Sequence, residues 1–186
     1  MPGTPDHVHH TMRDLKKWSL AAVGLLFGVL ILAGAHRFGL TAHAAVTLPP
    51  MALLAGAAIV DIQRRMIPDW LTLPGLGWVL GASALLGWPR VADALLGLSL
   101  CGGLLLILAV ISRGAIGGGD VKLMAMIGAS LGWQWGFSVL VFAQLFAALL
   151  ALCFFIAGWR GRKDAIPFGP FLAALALLAM VGRPMQ

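Results

Sequence analysis

The chain has 186 residues, 60% of them hydrophobic and 11% charged, with a formal net charge of +6 and a mean hydropathy of +0.94. That composition excludes a soluble globular domain and a disordered chain, and predicts an all-α, polytopic transmembrane helical bundle. Apolar runs recur so closely that one membrane-embedded domain, 18–186, is expected behind a basic cytoplasmic tail, 1–17.

The tail carries HVHH, His7 to His10, to which no metal or other function is assigned. Charges and turn residues then mark seven apolar segments: Trp18 to Ala35, Ala45 to Ile62, Leu71 to Gly87, Val91 to Ile111, Val121 to Trp133, Trp135 to Gly158 and Ile166 to Val181. The first, at 18 residues, exceeds a signal-peptide core of about 7–15 residues. It is expected to be retained, despite the AxA-like Ala42, His43 and Ala44 that follow. The fifth would rise only about 20 Å against a hydrocarbon core of about 30 Å, so six or seven spans are expected.

Orientation follows from Lys and Arg, which favour the cytoplasmic side. With a cytoplasmic N-terminus and seven crossings, ten of them fall inside: Arg13, Lys16, Lys17, Arg64, Arg65, Arg113, Lys122, Arg160, Arg162 and Lys163. Three fall outside, Arg37, Arg90 and Arg183. The pI near 10.4 is then a topology signal, and nucleic acid is not an expected partner. Cys101 and Cys153 lie in apolar runs without CxxC spacing, so buried, inert thiols are expected, with no metal or cofactor.

There is no glutamate, and the seven acids are all aspartates. Asp6, Asp14, Asp93 and Asp164 read as solvated charge. Asp61, behind the apolar MALLAGAAIV, sits at membrane depth, where an ionisable group is costly unless paired, hydrated or protonated. An ion pair with Arg64 or Arg65 on the same helix face is the competing account. Asp120 follows three glycines, Gly117 to Gly119, and precedes an apolar helix, so a simple N-cap would also explain it.

The predicted topology brings Asp61 and Asp120 to the same cytoplasmic depth. Two carboxylates in one site do not both ionise easily and hold a single proton between them, so one can activate a water while the other protonates a carbonyl. The glycines would let the backbone bend and approach closely.

These residues resemble a family. VDIQRRMIPDWLTLPG, Val60 to Gly75, is similar to the first aspartate motif of the type IV prepilin peptidases. GGGDVKL, Gly117 to Leu123, resembles their GxGDxKL, and AIPFGPFLA, Ala165 to Ala173, their proline-rich C-terminal segment. The resemblance implies a GxGD intramembrane aspartic protease that removes the basic leader of a type IV prepilin or pseudopilin just before its hydrophobic helix. It places the work at the cytoplasmic edge of the bacterial inner membrane. Asp61 and Asp120 would be catalytic and Asp69 structural, as a cap of the third span; Gly117, Gly119, Lys122, Phe168, Gly169 and Pro170 would lie at the substrate. With Pro167 and Pro170 breaking regular helix, the FGP segment is expected either to hold substrate by extended backbone pairing or simply to start a helix. The short length and two cysteines suggest a form like the Tad/Flp pilus peptidases, without methyltransferase activity. An ion- or proton-coupled transporter is the alternative reading of intramembrane aspartates.

Overall fold

The structure, a computed structural model, describes residues 21–22, 24–36, 42–64, 66–87, 89–112, 116–156 and 168–183. Among these residues all regular structure is helical. The elements are α1, Gly24–His36, then α2, Ala42–Arg64, and α3, Asp69–Leu86. One unbroken run follows, made of α4, Val91–Gly97, a π-helical turn, Leu98–Gly102, and α5, Gly103–Ile111. The last two are α6, Gly118–Ile156, and α7, Gly169–Gly182. The basic tail with its histidines, Arg65, Arg113 and the Arg160, Arg162, Lys163 cluster lie outside the described residues.

Val46–Arg64, Val91–Ile111 and Gly118–Leu149 are each long and apolar enough to cross a bilayer. The chain is an all-α, multi-pass membrane helical bundle, and its outer faces carry exposed apolar side chains such as Leu85, Val110, Ile111 and Ile156.

The last of those three runs is not straight. Gly132 interrupts α6 at φ 76° and ψ 172°, and a Cβ on Gly136 would lie 2.8 Å from the Cα of Gly128. Eight residues of straight helix separate two such positions by about 12 Å. The chain therefore doubles back at Gly132, and 118–131 runs beside 133–156. Length and hydropathy count 118–149 as one crossing, but that count takes no account of the reversal. The sequence places this break near Gln134; the structure puts it two residues earlier, where a positive φ suits glycine.

The hairpin is sealed against the π turn by close backbone packing. A Cβ on Gly97 would overlap the carbonyl oxygen of Gly128, and one on Gly136 would lie 3.1 Å from Cys101 Sγ. Lipid tails are as apolar as leucine, so helices in a bilayer associate through such packing rather than through the hydrophobic effect. Cys101 is fully buried in this seam, whereas Cys153, expected to be buried, is exposed.

Buried hydroxyls satisfy themselves locally, as a membrane interior requires: Ser83 Oγ donates to the Val79 carbonyl and Ser130 Oγ to the Met126 carbonyl, both at 2.8 Å. The core gathers Met51 and Leu54 of α2, Leu123, Met124 and Ile127 of α6, and Leu172 and Leu177 of α7. Packing of α7 against both α2 and α6 brings its first turn beside the end of α2.

Candidate active site

Asp61 lies in the last turn of α2 and is only 6% exposed. Its Oδ2 accepts a hydrogen bond from the Gly169 backbone N–H at 3.1 Å. Gly169 is the first residue of α7 after its N-cap, Phe168, and amides in a first helical turn have no partner within their own helix. One of them is aimed at a carboxylate instead, at the helix end that favours negative charge. The approach leaves no room for a side chain: a Cβ on Gly169 would lie 2.8 Å from Asp61 Oδ2 and 3.1 Å from its Cγ. Among the described residues Arg64 makes no ion pair with Asp61, and Arg65 lies outside them.

Asp120 enters from the other side. The Gly117 carbonyl accepts the N–H of Asp120 at 3.1 Å and of Val121 at 3.4 Å, which makes Gly117 the N-cap of α6. Asp120 is thus not the cap that its place before the apolar run suggests, but the third residue of the first turn, half-buried. The charge of Asp61 acts on it, so the two carboxylates occupy one electrostatic site.

The start of α6 is held against the segment between α2 and α3. A Cβ on Gly119 would lie 2.9 Å from Ile67 Cβ and 3.3 Å from the Ile67 backbone nitrogen and oxygen. Gly118 faces open space, and a Cβ on Gly117 would make ordinary contact with Asp120 Oδ2 at 3.4 Å. Of the three glycines, only Gly119 is demanded by packing. One helical turn on, Lys122 Nζ pairs with Asp69 Oδ1 at 2.6 Å on the exposed rim. This corrects the expected cap: Pro68 is the N-cap of α3, no side chain caps it, and the Asp69 carboxylate serves Lys122. Lys122 is in turn engaged within the chain.

Phe168 has φ −82° and ψ −29°, and its carbonyl accepts the N–H groups of Phe171 and Leu172 at 3.1 and 3.2 Å. The described part of the FGP segment is therefore a helix start with Pro170 in its first turn, where a missing N–H costs nothing. Of the two readings the sequence left open, the helix start is the one found at 168–170 and extended backbone is not, while Pro167 lies outside the described residues. Two supporting residues escape sequence reasoning, Ile67 as the floor under Gly119 and the Gly169 amide as the donor to Asp61. The second contact joins residues 108 positions apart, and a glycine between Phe168 and Pro170 was its only trace. Chemically, the arrangement offers two electrostatically interacting carboxyl groups, one of them held by a backbone donor.

A family model described as the type IV leader peptidase family matches residues 48–156, a range that includes Asp61 and Asp120. A protein of Burkholderia pseudomallei (strain 1026b) named prepilin leader peptidase/N-methyltransferase is 38% identical over 92% of this chain and 54% of its own length. Proteins of the same name from Legionella pneumophila and Bacillus subtilis (strain 168) are 32% and 29% identical, each over 85% of this chain and over 57% and 64% of their own lengths. The chain thus spans less than two thirds of the relatives it matches. No solved structure matches it. The relatives' names join N-methyltransferase to the peptidase, which overturns the expectation that methyltransferase activity is absent. That expectation rested on length and a missing cysteine motif, neither of which is evidence against a chemistry.

Proposed function

Because the chain belongs to the type IV leader peptidase family, we propose that it is a membrane-embedded aspartic endopeptidase cutting the short basic leader from type IV prepilins or pseudopilins. Asp61 and Asp120 are the catalytic pair. The reading is carried by one observation: a 6% exposed carboxylate at a helix end, oriented by a backbone amide at 3.1 Å, interacts with a second carboxylate from a remote helix. Such an arrangement is costly in a membrane protein unless it performs work.

In the reaction one carboxylate takes a proton from water as the water oxygen attacks the scissile carbonyl carbon. The other carboxyl group gives its proton to the carbonyl oxygen. Collapse of the gem-diol intermediate breaks the C–N bond: the leaving amine takes the pair's proton, a diol hydroxyl gives its own proton back to the pair as the new carbonyl forms, and the pair again holds one proton. In this reading Phe168, Pro170 and Gly117 meet the substrate, while Gly169 holds Asp61 through its amide and Gly119 seats the start of α6 on Ile67.

The protein sits in the bacterial cytoplasmic membrane as a single embedded unit from residue 18 onward, N-terminus inside. The Gly132 reversal supports seven crossings over six, and the Lys and Arg distribution supports a pair at the cytoplasmic edge. There the substrate's basic leader stays in water and its apolar helix in lipid.

Co-expression with candidate prepilins, reading leader removal by mass, tests the function. Wild-type chain should process a prepilin, and Asp61→Asn and Asp120→Asn should do so at least about 10²-fold more slowly; processing at the wild-type rate by either variant overturns the mechanism. For orientation, single cysteines near Arg113 and Arg90, in a chain whose own Cys101 and Cys153 are replaced, should react differently with an impermeant reagent. Labelling of both from outside overturns the topology.

A further inference from the structure

At the far end of 118–131 from the acid pair, the Gly132 turn opens into a second polar site that peptide hydrolysis does not use. Its walls are Asp93 in the first turn of α4, Arg183 just beyond α7, and Trp133, Gln134 and Trp135 on the turn itself, around a crevice of about 170 Å³. A single water needs about 10–15 Å³ on that measure, so the crevice has room for a polar group of several heavy atoms. Asp93 and Arg183 interact electrostatically. Both side chains line the same open volume.

Its depth in the bilayer narrows what it could bind. Segment 118–131 rises about 20 Å, against a hydrocarbon core of about 30 Å, so a bilayer around it is thinned or its polar surface is drawn inward. Two tryptophans, 40% and 38% exposed, mark the crevice as interfacial, because indoles favour headgroup depth.

We propose that this crevice binds the headgroup of a zwitterionic, amine-bearing phospholipid. The chemistry is complementary at both ends. The Arg183 guanidinium and the Gln134 amide donate to the phosphate oxygens, while Asp93 accepts from the ammonium group and the indole faces attract it. An Asp–Arg pair is neutral as a whole, so it matches a zwitterion and not a net anion. A lipid held there would fix the membrane surface close to the Gly132 turn and stabilise the short segment that presents Asp120 at its other end.

Native mass spectrometry of the delipidated full chain, with defined lipids added, tests this whether or not the protein is a peptidase. Phosphatidylethanolamine should be retained in preference to phosphatidylglycerol. Arg183→Gln and Asp93→Asn should each weaken retention about tenfold, the effect of losing one charge-assisted hydrogen bond, and Asp61→Asn should not. Gln134→Ala, on an exposed side chain, gives a smaller loss and serves if Arg183→Gln does not fold. Equal retention of the two lipids, unchanged retention in every crevice variant, or displacement of the lipid by inorganic phosphate overturns the proposal.

Discussion

Two carboxylates eight residues apart, Asp61 and Asp69, tie the same region of the bundle together in opposite ways. Asp61 is buried and held by the Gly169 amide at 3.1 Å; Asp69 is exposed and held by the Lys122 ammonium at 2.6 Å. The shorter bond is the weaker tie. On the rim, water and salt compete for both charges, and such pairs contribute about 0.2–1 kcal/mol. In the interior, the amide has no substitute, and the glycine that carries it cannot be enlarged without moving the acid. The contrast teaches that chemical position here is set by backbone, and that side-chain charge only trims it.

The largest effect tests the interior tie at its acid. Asp61→Asn keeps the size and an acceptor oxygen for Gly169 but removes a general acid–base, which is worth about 10²–10⁴-fold in rate. The measurement is kcat for leader removal in purified, folded protein. Gly169→Ala comes next. Its Cβ would press within 2.8 Å of Asp61 Oδ2, and a displacement near 1 Å at a reacting group costs about 10²-fold. We expect kcat to fall with KM little changed, while Gly182→Ala at the open end of the same helix leaves both intact. A Gly169→Ala enzyme with the wild-type kcat would remove the distinction between the two ties.

Smaller still is the comparison inside the glycine run. Gly119→Ala forces a methyl against Ile67 at 2.9 Å, and overpacking of that kind costs about 1–3 kcal/mol. Gly118→Ala meets open space and should gain slightly, since alanine is the better helix former by about 1 kcal/mol. Thermal unfolding in one detergent would show Gly119→Ala lowered and Gly118→Ala equal to or above wild type. The reverse order would mean that the start of α6 does not rest on Ile67.

What could be read from the sequence follows the same division. Hydropathy and charge depend on composition along the chain, so the apolar runs coincide closely with helices; Val91 to Ile111 matches α4, the π turn and α5 end to end. The two aspartates were visible because a carboxylate next to an apolar run is an anomaly wherever it folds. Contacts that join distant residues left no such mark. Nothing local shows that Gly169 reaches Asp61, that Gly119 rests on Ile67, or that Lys122 is engaged by Asp69. Gly97, Gly128 and Gly136 likewise look like ordinary membrane glycines until their backbones are seen to touch. The misplaced cap has the same origin: a favoured N-cap residue stood near a helix start, but the Gly117 carbonyl had already begun the helix.

The rim tie should yield the smallest effect, and it separates two uses of one lysine. If Lys122 only braces α6 against α3, then Lys122→Met and Asp69→Asn each lose the same ion pair, and the double variant is no worse than either alone. Stability should fall by about 0.2–1 kcal/mol in each, with coupling that fades as salt is raised. Cleavage should stay near wild type in all three. If Lys122 also meets the substrate, the two singles diverge: Asp69→Asn frees the lysine and leaves KM unchanged, whereas Lys122→Met raises KM alone. Measuring KM and unfolding across the four proteins of that cycle distinguishes a brace from a contact, because a brace lost from either end is the same brace.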